Sequence, residues 1–251
     1  MKPSEPFYAR GEHFAIDLPG AQALFTTRRG GYSAGPYASL NLGRLTDDDP
    51  RAVQRNRDTL ETQLQARLTF VRQVHGASVE RVTVQSAERA RRAGPDELSR
   101  ADGQATKAPG VALAALTADC LPIAVAGDGA VAMLHAGWRG LRDGVIENGV
   151  AALRELGVDG PLGAAIGPGA GPCCYRVGGE VLDAFRDYPQ ARADDGRIDL
   201  KAIAAEELAR AGVDEVHDLE LCTICAEPSL LFSHRRDRGV TGRQAGVAWL
   251  R

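Results

Sequence analysis

Three apolar stretches crowded into one short segment constrain this chain more than any other feature. Val111–Thr117, Leu121–Ala126 and Ala130–His135 each have the length of a strand, and Pro122 and Gly127-Asp128-Gly129 punctuate them. Such short connections leave no room for crossover helices. Strict βαβ alternation is therefore missing, which counts against a doubly wound nucleotide-binding sheet. Ala21–Thr27, Leu162–Ile166, Val216–Leu221 and Gln244–Leu250 read as further strands. Leu68–Val74 and Val79–Val84 read as a strand pair around His75-Gly76.

Helices are predicted over Ala52–Leu64, Asp143–Leu156, Gly179–Tyr188 and Leu200–Ala211. In the second, Val145, Ile146, Val150, Leu153 and Leu156 fall near one face, with Asp143 placed to cap it and Gly157 to end it. Asp199 is placed to cap the fourth, with Gly212 beyond its end. Hairpin-linked strands mixed with packing helices predict an α+β sandwich. The charged stretch Glu88–Arg100 reads as a solvated, flexible insertion, and nothing else reads as a linker, so one domain over 1–251 is expected.

Composition removes several function classes. With 44% hydrophobic and 25% charged residues the chain is globular rather than disordered. A net charge of −3 gives no electrostatic footprint for nucleic acid. The apolar runs are too short to span a membrane. The opening MKPSEPFYARGEH lacks the apolar core of a signal peptide. Five cysteines, an odd number at low density, argue against a disulfide scaffold and fit a reducing cytoplasm.

The chemistry concentrates at strand ends. His75, Cys120 and His135 each follow an apolar stretch and precede a turn-like sequence. Two imidazoles and a thiolate suit Zn²⁺, with a fourth position open to water or substrate. The same residues also make a metal-free scheme, with Cys120 a thiolate nucleophile activated by either histidine, and a bland one, with hydrogen-bonded histidines and a buried apolar cysteine. Asp119 either orients a histidine, handles a proton or caps a turn.

Cys222-Thr-Ile-Cys225 has the spacing of half a zinc site, and Cys173-Cys174 would complete four thiolates. Adjacent cysteines are awkward tetrahedral partners, so all four are read as buried structural residues. Arginines stand beside flexible turns in Thr26–Gly31, His135–Gly140 and Arg235-Arg236, suited to phosphate or carboxylate. The Gly167–Pro172 loop has neither a P-loop nor a Rossmann ending and reads as a rigid pocket wall.

Nine blocks, in order along nearly the whole chain, resemble the bacterial laccase-domain family, also called YfiH-like or multicopper polyphenol oxidoreductases. They are FTTRRGGYS (Phe25–Ser33), SLNLG (Ser39–Gly43), RQVHG (Arg72–Gly76), TADCLPI (Thr117–Ile123), HAGWRGL (His135–Leu141), GPCCYRVG (Gly171–Gly178), CTIC (Cys222–Cys225), FSHRRD (Phe232–Asp237) and TGRQA (Thr241–Ala245). The resemblance implies an α/β/β/α sandwich with mixed sheets and a zinc site on His75, Cys120 and His135, which would also be the catalytic residues. It implies purine nucleoside phosphorylase activity with adenosine deaminase activity, on adenosine, inosine, guanosine or methylthioadenosine.

By the same resemblance Arg28, Ser33, Asn41, Gln73 and Arg139 are expected to bind substrate or phosphate, with Arg235 and Arg236 behind them. Arg176 stands where the family usually has an acid, and Arg72 where it has an apolar or amide residue. The older family reading, a copper-dependent polyphenol oxidase, meets only five histidines here, His13, His217 and His234 being scattered. A third reading, a Cys120 hydrolase in peptidoglycan quality control, needs no metal.

Overall fold

The three apolar stretches do form strands, but they divide between two sheets. The computed structural model describes residues 3–251, so the first two residues of the expected 1–251 domain lie outside it. In chain order the elements are β1 (Tyr8–Arg10), β2 (His13–Leu18), β3 (Ala21–Phe25), α1 (Pro50–Leu64), β4 (Arg67–Thr69), β5 (Val79–Arg81), α2 (Val84–Arg92), β6 (Gly103–Thr106) and β7 (Val111–Thr117). There follow β8 (Leu121–Gly127), β9 (Ala130–Ala136), α3 (Trp138–Arg142), α4 (Val145–Glu155), β10 (Gly163–Ile166), α5 (Gly179–Ala184), α6 (Leu200–Arg210), β11 (Glu215–Asp218) and β12 (Gln244–Leu250).

One sheet has the order β1-β2-β3-β12-β7-β4, antiparallel except where β4 lies along β7. The other has the order β11-β10-β8-β9-β6-β5, with parallel pairs at its two edges. The strands are apolar at consecutive positions because both faces are covered. In β7, Val111, Leu113 and Ala115 face the space between the sheets, whereas Ala112 and Ala114 face α1. In β9, Val131 and Met133 point between the sheets, and Ala132 and Leu134 point toward α4 and α6.

The layers are thus α/β/β/α, as the resemblance implied. Small residues let the sheets approach. A Cβ on Gly246 would lie 2.6 Å from the Pro122 Cβ and 3.0 Å from the Met133 Sδ.

Several local expectations fail for identifiable reasons. β4 and β5 are not a pair, because they belong to different sheets. Val84 begins α2 rather than ending a strand, and α2 also takes in Glu88–Arg92 of the expected loop. Its start is fixed by a reciprocal capping box between Thr83 and Ser86. The helix expected from Asp143 forms as α4 but starts two residues later, because a separate short helix precedes it. Asp143 closes α3, and Gly144, at φ +85°, opens α4. Asp199 caps α6 as expected, accepting from the Lys201 and Ala202 amides. Among the described residues no helix is long and apolar enough to cross a membrane.

Candidate functional site

The chain passes from one sheet to the other between β4 and β5, and again between β7 and β8. His75 lies on the first passage and Cys120 on the second. His135 lies near the end of β9, opposite Pro122 of β8. The topology therefore gathers three residues distant in sequence. Their ligand atoms all lie within 4.8 Å of one another, and the two imidazoles meet edge to face with centroids 5.0 Å apart. His135 is buried, Cys120 half-buried and His75 exposed, so the group opens on one side.

Gly137 keeps the space clear: a Cβ there would sit 3.0 Å from the Cys120 Sγ and 3.3 Å from the His75 ring.

A residue not singled out from sequence supports the group. Asp102, which directly precedes β6, is 1% exposed. Its carboxylate accepts from three successive amides, Val74 (3.1 Å), His75 (2.9 Å) and Gly76 (2.7 Å). It also lies 2.8 Å from the His135 Nδ1. One carboxylate thus fixes the loop carrying one histidine and the ring of the other, leaving the His135 Nε2 for an ion. His75 is held at φ +59°, in the left-handed region rare for a side chain with a Cβ. The amides donated to Asp102 hold it there.

Electrostatics favour the ligating form of the thiol. Burial would push Cys120 up, but the charge and hydrogen bond of His135, with His75, bring it down to about 6. Burial would push His135 down, but Cys120 and the Asp102 hydrogen bond hold it up at about 9. Burial would also raise Asp102, but His135 and the amides of Gly76 and Val74 hold it below the usual carboxylate range. Two nitrogens and a thiolate, with a carboxylate behind one imidazole and one face open, fit a zinc-type ion with a vacant position.

The group forms part of the wall of a cavity of about 720 Å³, within the usual size range of small-molecule sites. Six arginines line it: Arg44, Arg57, Arg72, Arg235, Arg238 and Arg243. Among the described residues only Arg72 has a carboxylate partner at salt-bridge distance, Asp96. Arg57 is buried and donates to the Leu42 carbonyl, and burial with Arg44 alongside pushes it down to about 9. Thr117, also in the lining, has a buried hydroxyl without a partner. Asp119, at φ +95°, accepts from the Thr223 and Ser233 hydroxyls and the Arg235 amide. It therefore anchors the wall rather than a histidine.

Of the residues expected to hold substrate, Gln73 is in the lining, with its amide paired to both backbone groups of Leu116. Arg28, Ser33, Asn41 and Arg139 are outside it. Arg28 stacks on Phe232 and donates to the carbonyls of Pro36, Ala38 and Pro228. Ser33 accepts from Asn56, Asn41 spans Thr46 and Asp48, and Arg139 stacks on Trp138. Arg235 lines the cavity, whereas Arg236 is engaged by Asp237 and two carbonyls. Nor are Cys173, Cys174, Cys222 and Cys225 buried: two are exposed and two half-exposed.

The fold and site define a class: a two-sheet sandwich with an open, metal-competent nitrogen–sulfur group beside an arginine-lined cavity. Residues 22–251 match the family described as multi-copper polyphenol oxidoreductase laccase, and the chain belongs to that family. It is 42% identical, over 91% of its length and 93% of the other's, to a protein of Pseudomonas aeruginosa named purine nucleoside phosphorylase. The crystal structure of hypothetical protein YfiH from Bacillus licheniformis superposes with a TM-score of 0.90 at 32% identity, covering 99% of this chain and all of that one. That of YlmD from Geobacillus stearothermophilus gives 0.84 at 37% identity, covering 97% of both.

Proposed function

We propose that the cavity is the active site of a zinc-dependent purine nucleoside phosphorylase that also deaminates adenosine. The observation that carries this reading is the gathering of unpaired guanidinium groups and the open His75–Cys120–His135 group around one cavity. Phosphate is a dianion that arginine forks bind well, and unpaired arginines provide for it without breaking an existing ion pair. The names of the relatives agree.

On this reading Arg57, rigid and buried, positions the phosphate, with Arg44 and Arg243 closing around it. A phosphate oxygen attacks C1′ of the sugar as the C1′–N9 bond breaks, and the electron pair leaves with the purine. Preorganised cations that neutralise and align the nucleophile carry much of such a rate. An ion on His75, Cys120 and His135 would supply Lewis acidity to a substrate atom. Asp102 keeps His135 in the tautomer that leaves its Nε2 lone pair free. Deamination in the same cavity replaces the adenine 6-amino group by oxygen from water, giving inosine and ammonia.

The test is incubation of metal-loaded protein with adenosine, with and without phosphate, followed by separation of products. Adenine plus ribose 1-phosphate is expected only with phosphate, and inosine in both cases. Formation of neither product rejects the proposal. The family's name favours a second reading, a copper-dependent phenol oxidase. Stoichiometric copper with sustained dioxygen uptake on a phenol would support it. Among the described residues only His75, His135 and His234 are histidines lining the cavity, few for a multicopper cluster.

A further inference from the structure

Four thiols outside the cavity converge at a point the proposed reaction does not use. Cys173 and Cys174 lie in a helical turn, where the amides of Cys174 and Tyr175 both donate to the Gly171 carbonyl at 3.0 and 2.9 Å. Successive side chains in such a turn diverge by about 100°, so neighbouring thiols reach one centre. An extended chain would instead send them to opposite faces. Cys222 and Cys225 approach from the loop after β11.

All four sulfurs lie within 4.8 Å of one another, and Cys173 and Cys225 are 3.4 Å apart. Four sulfurs about 2.3 Å from a tetrahedral zinc ion are about 3.8 Å from each other, so the spacing is that of a ligand cage. None of these cysteines is in a disulfide.

Backbone contacts hold the sulfurs in this arrangement. The Cys222 sulfur accepts the backbone N–H of Gly171 at 3.3 Å. That contact fixes the Cys222 sulfur in place within the group. A side chain at position 171 would crowd the site, since a Cβ on Gly171 would lie 3.1 Å from the Cys222 Cβ.

We infer that Cys173, Cys174, Cys222 and Cys225 form a closed four-thiolate site for a soft divalent ion of the zinc class, distinct from the His75–Cys120–His135 group and structural in role. It joins the loop carrying Tyr175 to the loop carrying Thr223. Tyr175 lines the cavity, and the Thr223 hydroxyl donates to Asp119 at 2.6 Å, so the ion staples the cavity wall. The inference stands whatever the substrate.

The test is metal content of the full chain, purified without chelator, by elemental analysis and native mass spectrometry. About two zinc-class ions per chain are expected, falling to one in Cys222→Ser and, independently, to one in His75→Ala. Cobalt loading should give sulfur-to-metal charge-transfer absorption of a four-thiolate centre that persists in His75→Ala and disappears in Cys222→Ser. In native wild-type protein, alkylation of these four thiols should be about tenfold slower than after chelation. This reading decides the matter even if the serine variant does not fold. One ion per chain, unchanged in Cys222→Ser, would overturn the inference. So would a disulfide among the four in the purified protein, or alkylation indifferent to chelator.

Discussion

His75, Cys120 and His135 come from three separated stretches, and the two histidines are held from behind by Asp102. Cys173, Cys174, Cys222 and Cys225 come from two loops, with the Gly171 amide donated to the Cys222 sulfur. The first group mixes nitrogen and sulfur, opens at exposed His75 and borders a cavity full of cations. The second is all sulfur, with no donor left over and no position for a substrate. Ligand count and what lies behind the ligands distinguish a centre that acts on a molecule from one that holds a wall in place.

Substitution tests this division most strongly. Cys120→Ser should remove nearly all turnover while leaving Tm close to that of wild type. Cys222→Ser should lower Tm by roughly 4–8 °C, for a loss of about 2 kcal/mol in a chain of this size, with a smaller fall in kcat. Equal kinetic losses at unchanged Tm would erase the distinction. Next in size, Asp102→Asn should weaken metal binding at the open site by about 10–100-fold and leave the four-thiolate site filled. Metal competition titration separates the two.

Arg57→Met should raise the KM for phosphate by about tenfold, or about 1.4 kcal/mol, with little change in the KM for adenosine. The reverse pattern would place the anion elsewhere.

The smallest effect lies away from both groups. Burial, with Glu147 nearby, pushes the Glu207 carboxyl up to about 7. Tyr188 donates to one of its oxygens, and the other has no partner. A carboxyl raised in the fold contributes stability that is present below its unfolded value and lost as pH rises through about 7. Glu207→Gln should therefore match wild type near pH 4 and exceed it in stability near pH 8, by an amount on the order of 1 kcal/mol. Parallel Tm–pH curves would contradict the assignment.

What was legible in the sequence follows the physics. β7, β8, β9 and β12 are apolar at consecutive positions because both faces are covered, so they announce themselves, and with them the strand ends carrying Cys120 and His135. β1, β2 and β6 do not stand out. Asp17 interrupts β2, and Gln104 and Thr106 in β6 are buried polar residues that donate to backbone carbonyls. Asp102 carries no motif, because its role depends on three amides from a segment a quarter of a hundred or so residues earlier, brought near only by the fold. The cationic wall was missed in part for the same reason: Arg57 is on α1, Arg44 and Arg243 on separate loops. The burial expected of the four cysteines fails because they sit on loops rather than in a strand or helix of the core.

Since a single carboxylate grips both histidine-bearing segments, neither can be altered alone. A longer loop grafted at His75 must still present three consecutive amides to Asp102, or the ring of His135 swings free. Redesign of specificity should begin with the arginine-bearing loops rather than with either histidine-bearing segment.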